Sequence, residues 1–136
     1  MTVLGVDWGR VRIGVAVSDE TERFARPLAT VRVPSRAGAA AEVSRLGAGE
    51  DARLIVVGLP LSMDGTEGPS AVSARAFAGA VAAASGRPIE MWDERLSTWE
   101  GGLRSREGGR RRFVDKDQAA ACVILQSFLD ARRNKK

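Results

Sequence analysis

The chain has 136 residues, 44% of them apolar, and 21 basic against 17 acidic side chains give a net charge of +4. That length suits one domain with a sizeable core, and no apolar run approaches the roughly 20 residues a bilayer crossing needs. With no histidine, no tyrosine and a single cysteine, Cys122, the sequence excludes a Ser-His-Asp triad, a His-ligated zinc, a tyrosine nucleophile and an internal disulfide.

The N-terminus enters a strand pattern at once, with no basic segment followed by an apolar stretch, so no signal peptide is expected and the cytosol is the default location. Val3 to Asp7 reads as a short buried strand, broken by Gly9; Arg12 to Ser18 reads as its hairpin partner. A third strand is predicted from Leu28 to Val33, stopped by Pro34, and an alanine-rich helix from Arg36 to Gly49. Arg53 to Gly58 is a continuous apolar run, as in a strand covered on both faces. After a Gly/Pro/Ser-rich loop, Ala74, Phe77, Val81 and Ala84 mark one face of a helix ending near Gly86. Pro88 to Trp92 is a last strand, and a last helix runs from about Lys116 to Arg132. Cys122 lies in the apolar run of that helix, where a small core residue is expected. The order is three antiparallel strands and then helix–strand–helix–strand–helix. Right-handed crossovers make strands 1, 4 and 5 parallel and gather their carboxyl ends at one edge, where open α/β sheets collect ligands.

Asp7 ends the first strand and Asp93-Glu94 end the fifth, so these acids should meet at that edge. In the last helix Asp117, Ala120, Ala121, Ile124 and Phe128 share a face at i+3/i+4 spacing. That face is apolar and should lie on the sheet, which turns Asp117 inward. Asp115 reads instead as an N-cap, with Gln118 placed as the N3 residue of a capping box. Three converging carboxylates repel one another and call for cations. Oxygen-only ligands favour Mg²⁺ or Mn²⁺, and two such ions about 3.5–4 Å apart can activate water and stabilise the leaving oxygen of a phosphodiester. Each acid also has a plainer use, as a turn residue, a cap or half of an ion pair such as Glu94 with Arg95.

Basic residues concentrate in two places, from Arg104 to Lys116 (with Arg110, Arg111 and Arg112 consecutive) and from Arg132 to Lys136. Both suit a polyanion or are simply solvated. The stretch around 100–112 mixes glycine and arginine too irregularly for one rigid helix, which suggests a mobile basic flap over substrate. Trp8 and Trp99 flank the acidic edge, where they either pack or stack on bases. The loop Leu61 to Gly68 is either a rigid connection or a phosphate site at the head of the following helix.

Four blocks together carry a resemblance: Gly5-Val-Asp-Trp-Gly9 with Arg12-Ile-Gly-Val-Ala-Val-Ser-Asp19, the loop from Val56 to Pro69, Asp93-Glu-Arg-Leu-Ser-Thr98, and Asp117 to Gln126. In this order, over nearly the whole chain, they resemble the YqgF/RuvX family. The resemblance implies a ribonuclease-H-like α/β fold, one domain over residues 1–136, related to the Holliday-junction resolvase RuvC. It implies a metal-dependent nuclease maturing the 5′ end of pre-16S ribosomal RNA, with Mg²⁺ or Mn²⁺ held by Asp7, Glu94 and Asp117. Asp93 is then a helper to, or substitute for, Glu94. Arg12 and Arg95 match family positions as contacts to phosphate or to the carboxylates. The partner implied is a nucleic acid, structured RNA or a DNA junction, and not a membrane. A Holliday-junction resolvase with the same acids is the first alternative and leaves a homodimer open; a non-catalytic nucleic-acid-binding module is another. The glycine-flanked Asp7 and its hairpin also resemble the first phosphate loop of the actin and sugar-kinase fold, but that fold needs two such domains.

Overall fold

The computed structural model describes residues 1–33, 35–96 and 115–134. Five strands, β1 (Thr2–Asp7), β2 (Arg12–Ser18), β3 (Ala25–Arg32), β4 (Ala52–Leu59) and β5 (Ile89–Asp93), form one sheet in the order β3-β2-β1-β4-β5. The β1–β2 and β2–β3 pairs are antiparallel, whereas β1–β4 and β4–β5 are parallel, so the two crossovers run as expected. Helices α1 (Arg36–Gly49) and α2 (Pro69–Ser85) cover one face, and α3 (Lys116–Asn134) covers the other.

The alternation of side chains along β1 sorts the core. Leu4 and Val6 join Ile13, Val15, Ile55, Val57, Val43, Phe77 and Val81 on the α1/α2 side. Val3, with Ala16, Leu54 and Val56, packs on Ala121, Ile124, Leu125 and Phe128 of α3. Small residues on the buried faces of α1 and α2, among them Ala39, Ala40, Ala71, Ala74 and Ala78, allow that pair to pack closely. Ala84, predicted on the buried face of α2, is exposed, because the helix leaves the core after Val81. Cys122 is buried as expected, and burial pushes its thiol up to about 12, which leaves it inert as a nucleophile.

Two boundaries differ instructively from the sequence reading. Strand β3 begins at Ala25, three residues before Leu28, and includes Pro27. Proline is tolerated because β3 is an edge strand, and a register shift between Val15 and Ala16 falls beside it. Gln126, buried on α3, clamps the start of this strand: its Oε1 accepts from Ala25 N at 2.9 Å and its Nε2 donates to Arg23 O at 2.8 Å. At the head of α3 only half of the expected capping box forms. Asp115 Oδ1 accepts from Gln118 N at 2.8 Å, but the Gln118 side chain donates to Thr30 Oγ1 at 3.0 Å, tying α3 to β3.

The basic stretch expected to form a flap, with Trp99, Arg110, Arg111 and Arg112, lies outside the described residues, as do Lys135 and Lys136. Among the described residues no helix is long and apolar enough to cross a membrane.

Candidate active site

Asp7 is the last residue of β1, and its side chain shares the α3 side of the sheet with Val3. The neighbouring strands present glycine on either side of it. Gly14 of β2 is its register partner, and Gly58 of β4 follows Val57, the partner of Val6. Both gaps are filled from elsewhere in the chain. A Cβ on Gly14 would lie 1.8 Å from the main-chain oxygen of Asp117, so glycine lets the first turn of α3 rest on β2. A Cβ on Gly58 would lie 2.7 Å from Glu94 Oε2, so glycine lets Glu94 lean over β4 toward Asp7. Glycine within otherwise branched strands is a readable signal of close approach, and it is the signal the sequence reading missed.

Three acids thus approach one edge by three routes, though not as an equivalent trio. Asp7 and Glu94 share a hydrogen bond. Burial, then the charge of Glu94, that hydrogen bond and the charge of Asp117 raise the Asp7 carboxyl to about 7. Burial chiefly raises Glu94 as well, with a contribution from Asp93. The two carboxyls therefore hold a proton between them near neutrality.

Asp117 sits close enough to raise Asp7 but is turned to another partner. Arg12 Nε donates to its Oδ2 at 2.8 Å, in a pair whose side chains are 54% and 27% exposed, respectively. Among the described residues, accordingly, no three acidic or cysteine side chains stand as a ready cation site. The three acids expected as a metal set lie at one edge without closing into one cluster, and Asp117 is paired with Arg12.

Arg95 also differs from expectation. It pairs with Asp93 instead of Glu94, through Nε and a terminal nitrogen at 2.8–3.1 Å, and donates to Met63 O at 3.2 Å. These hydrogen bonds hold the Asp93 carboxyl below its usual range. Asp93 is thereby spent on fixing the turn after β5, where a 3₁₀ turn (Glu94–Leu96) carries Glu94 back over the sheet. The Arg95 contact to Met63 anchors the β4–α2 loop, which is otherwise held by Asp64 accepting from Thr66 N and Oγ1 and by Ser62–Thr66 and Gly65–Ser62 main-chain bonds. The loop has the bonding of a rigid connection.

Trp8 follows Asp7 directly. Its ring stacks on Phe77 with centroids 4.4 Å apart, and its Nε1 donates to Ser73 Oγ at 2.8 Å. Packing is thus one of its uses.

The RuvX family model, described as "Holliday junction resolvase", matches residues 1–131. A protein of Anaeromyxobacter dehalogenans is 49% identical over 135 residues, covering 97% of this chain and 98% of the relative. A protein of Chloroflexus aggregans is 45% identical, covering 98% and 96%. Both carry the name "Putative pre-16S rRNA nuclease". Among solved structures, Thermus thermophilus RuvC bound to a Holliday junction matches with a TM-score of 0.69 at 18% identity, over 98% of this chain and 96% of that one. That likeness identifies the fold as that of RuvC, a mixed five-stranded sheet with helices on both faces.

Proposed function

The chain belongs to the RuvX family of nucleases, and from that premise we propose that it is a divalent-metal-dependent endonuclease acting on pre-16S ribosomal RNA, with Asp7, Glu94 and Asp117 as its catalytic carboxylates. The observation that carries the chemistry is the convergence of Asp7, Glu94 and Asp117 on one sheet edge, with Glu94 leaning over Gly58 and the head of α3 resting on Gly14. Two half-buried acids meet beside a third, which is the electrostatic state expected where a cation is needed to balance the site. The donor set is all oxygen, which suits Mg²⁺ or Mn²⁺. Asp7 and Glu94 would hold the ion, with Asp117 joining once Arg12 releases it. When bound, such an ion supplies Lewis acidity to the attacking water and to the phosphate oxygens.

The chain's own groups do the rest. Asp7 and Glu94 give up the proton they share. Arg12, freed from Asp117, neutralises a phosphate oxygen of the substrate, so one guanidinium serves the empty and the occupied site in turn. Water's oxygen forms the new bond to phosphorus and its proton passes to solvent, the bridging phosphorus–oxygen bond breaks, and the leaving oxygen takes a proton from solvent. No side chain becomes covalently attached. Arg95 acts by holding Asp93 and the Met63 loop. Arg110, Arg111 and Arg112 add phosphate contacts, and residues 1–136 act as one nuclease domain. An rRNA precursor as substrate supports a cytoplasmic location.

Arg12 yields a prediction separable from turnover. Arg12→Gln removes the internal competitor for Asp117, so Mn²⁺ should bind about two- to fivefold more tightly, as befits an exposed ion pair. Mn²⁺ titration followed by electron paramagnetic resonance checks this. Weaker Mn²⁺ binding in the variant would mean that Arg12 supports the site and does not close it.

The substrate is tested by competition. A labelled pre-16S 5′ leader and a labelled four-way DNA junction are incubated with the protein and Mg²⁺. Cleavage of the leader in preference to the junction is expected. Symmetric cutting of the junction with the leader intact would transfer the assignment to resolution, the reading favoured by the family model's description.

A further inference from the structure

A cavity of about 540 Å³ opens next to the acidic edge, lined by Trp8, Arg10, Pro60, Pro69, Ser70 and Ser73. It lies between the β1–β2 turn and the start of α2, and it plays no part in holding the acids. We propose that it receives one unpaired nucleobase of the substrate, across the sheet edge from the scissile phosphate; this deepens the nuclease reading and rests on it.

The cavity falls within the roughly 300–1,000 Å³ range of small-molecule sites. Its wall is built for a flat ring. The Trp8 indole is backed by Phe77 in a near-parallel stack, with 19° between the planes, and is pinned at its edge by Ser73. Such a platform is already ordered before anything binds, so stacking a base on it costs little further side-chain entropy. Two prolines add rigid apolar surface, and Ser70 and Ser73 supply hydroxyls for base-edge hydrogen bonds. Arg10, exposed at the rim, is placed for the phosphate joining that base to the next. Trp8 follows Asp7 at the end of β1 but packs on the α2 side of the sheet, whereas Asp7 faces α3, so a strand whose base sits on Trp8 must cross the carboxyl edge of the sheet to reach the acids. A base paired in a duplex cannot enter, which would make the enzyme select cleavage positions with at least one unpaired nucleotide.

The test uses the full chain in EDTA, so that binding is read without cutting. The RNA leader is prepared with an abasic residue at each unpaired position in turn, and affinity is measured by fluorescence anisotropy. For the wild type, one position should stand out with a loss of about tenfold, the scale of a single stacked base. Ser70→Trp, which plugs the cavity from an exposed position on the first turn of α2, should bind the intact leader about tenfold more weakly and lose nothing further at that abasic position. Circular dichroism confirms that the plugged variant is folded. A flat abasic scan, or Ser70→Trp binding like the wild type, would overturn the cavity assignment. If that flat scan accompanies Mg²⁺-dependent cleavage of the leader, the nuclease reading survives alone. A position-specific loss with no cleavage in Mg²⁺ leaves the base site standing and removes the nuclease reading.

Discussion

Replacing Gly14 with alanine should destabilise the protein by about 3 kcal/mol or more, at the upper end of single-site effects. The added carbon would sit 1.8 Å from the Asp117 carbonyl oxygen and 2.3 Å from its carbon, a clash with main chain that no rotamer change relieves. Strand β2 and the head of α3 would have to part. Separation there would disturb the Gln118–Thr30 bond, the Asp115 cap and the Arg12–Asp117 pair together. Gly79, midway along α2 with nothing within 4 Å of a Cβ, is the matched control. Alanine there should stabilise by roughly 0.5–1 kcal/mol from helix propensity. Urea melts of the two variants decide the matter: equal, small effects would mean that α3 does not lie on β2 as described.

Asp7→Asn should give the metal-free protein a higher melting temperature than the wild type at pH 8, with little difference at pH 4. The sign follows from the direction of the shift. The Asp7 carboxyl titrates near 7 when folded and near its ordinary 3.8 when unfolded, so the folded state holds the proton more tightly. Its contribution to stability is fully present below the unfolded value and is lost as pH rises through the folded one. Asparagine keeps the shape and a hydrogen bond to Glu94 without the charge. Carboxylates held low by arginines or hydrogen bonds, such as Asp93, Glu22 and Asp115, contribute in the opposite sense, so the difference between the two proteins is the quantity to follow from pH 4 to 8. Parallel curves would show that Asp7 is not a strained acid in the folded chain.

Much of this arrangement is visible in the residues before folding. Period-two and continuous apolar runs mark β1, β2 and β4, and right-handed crossovers make β1, β4 and β5 parallel. The i+3/i+4 spacing through Ala121, Ile124 and Phe128 turns Asp117 toward the sheet edge. Pairing choices among adjacent charges were not legible. Asp93 and Glu94 are neighbours with the same chemistry, and only the 3₁₀ turn decides that Asp93 takes Arg95 while Glu94 takes Asp7. Arg12 reaches Asp117 across 105 residues, a contact that exists only once β2 and α3 pack. Gln126 reads as a polar interruption in an apolar helix until the unpaired main chain at Arg23 and Ala25 gives it a purpose. The start of β3 was hidden by Pro27, which is acceptable only because that strand is an edge. Gly14 and Gly58 stood in plain view, and their meaning depends on knowing what fills the space above them.

On the proposed reading, the carboxylates at this edge cut phosphodiesters with the help of a divalent ion. Single-turnover cleavage of the pre-16S leader in Mg²⁺ and in Mn²⁺, by the wild type and by Asp7→Asn at matched folded concentration, tests it most directly. Cleavage that requires the metal and falls at least about 10²-fold in Asp7→Asn is the predicted result. Metal-independent cleavage, or equal rates in the two proteins, would contradict it.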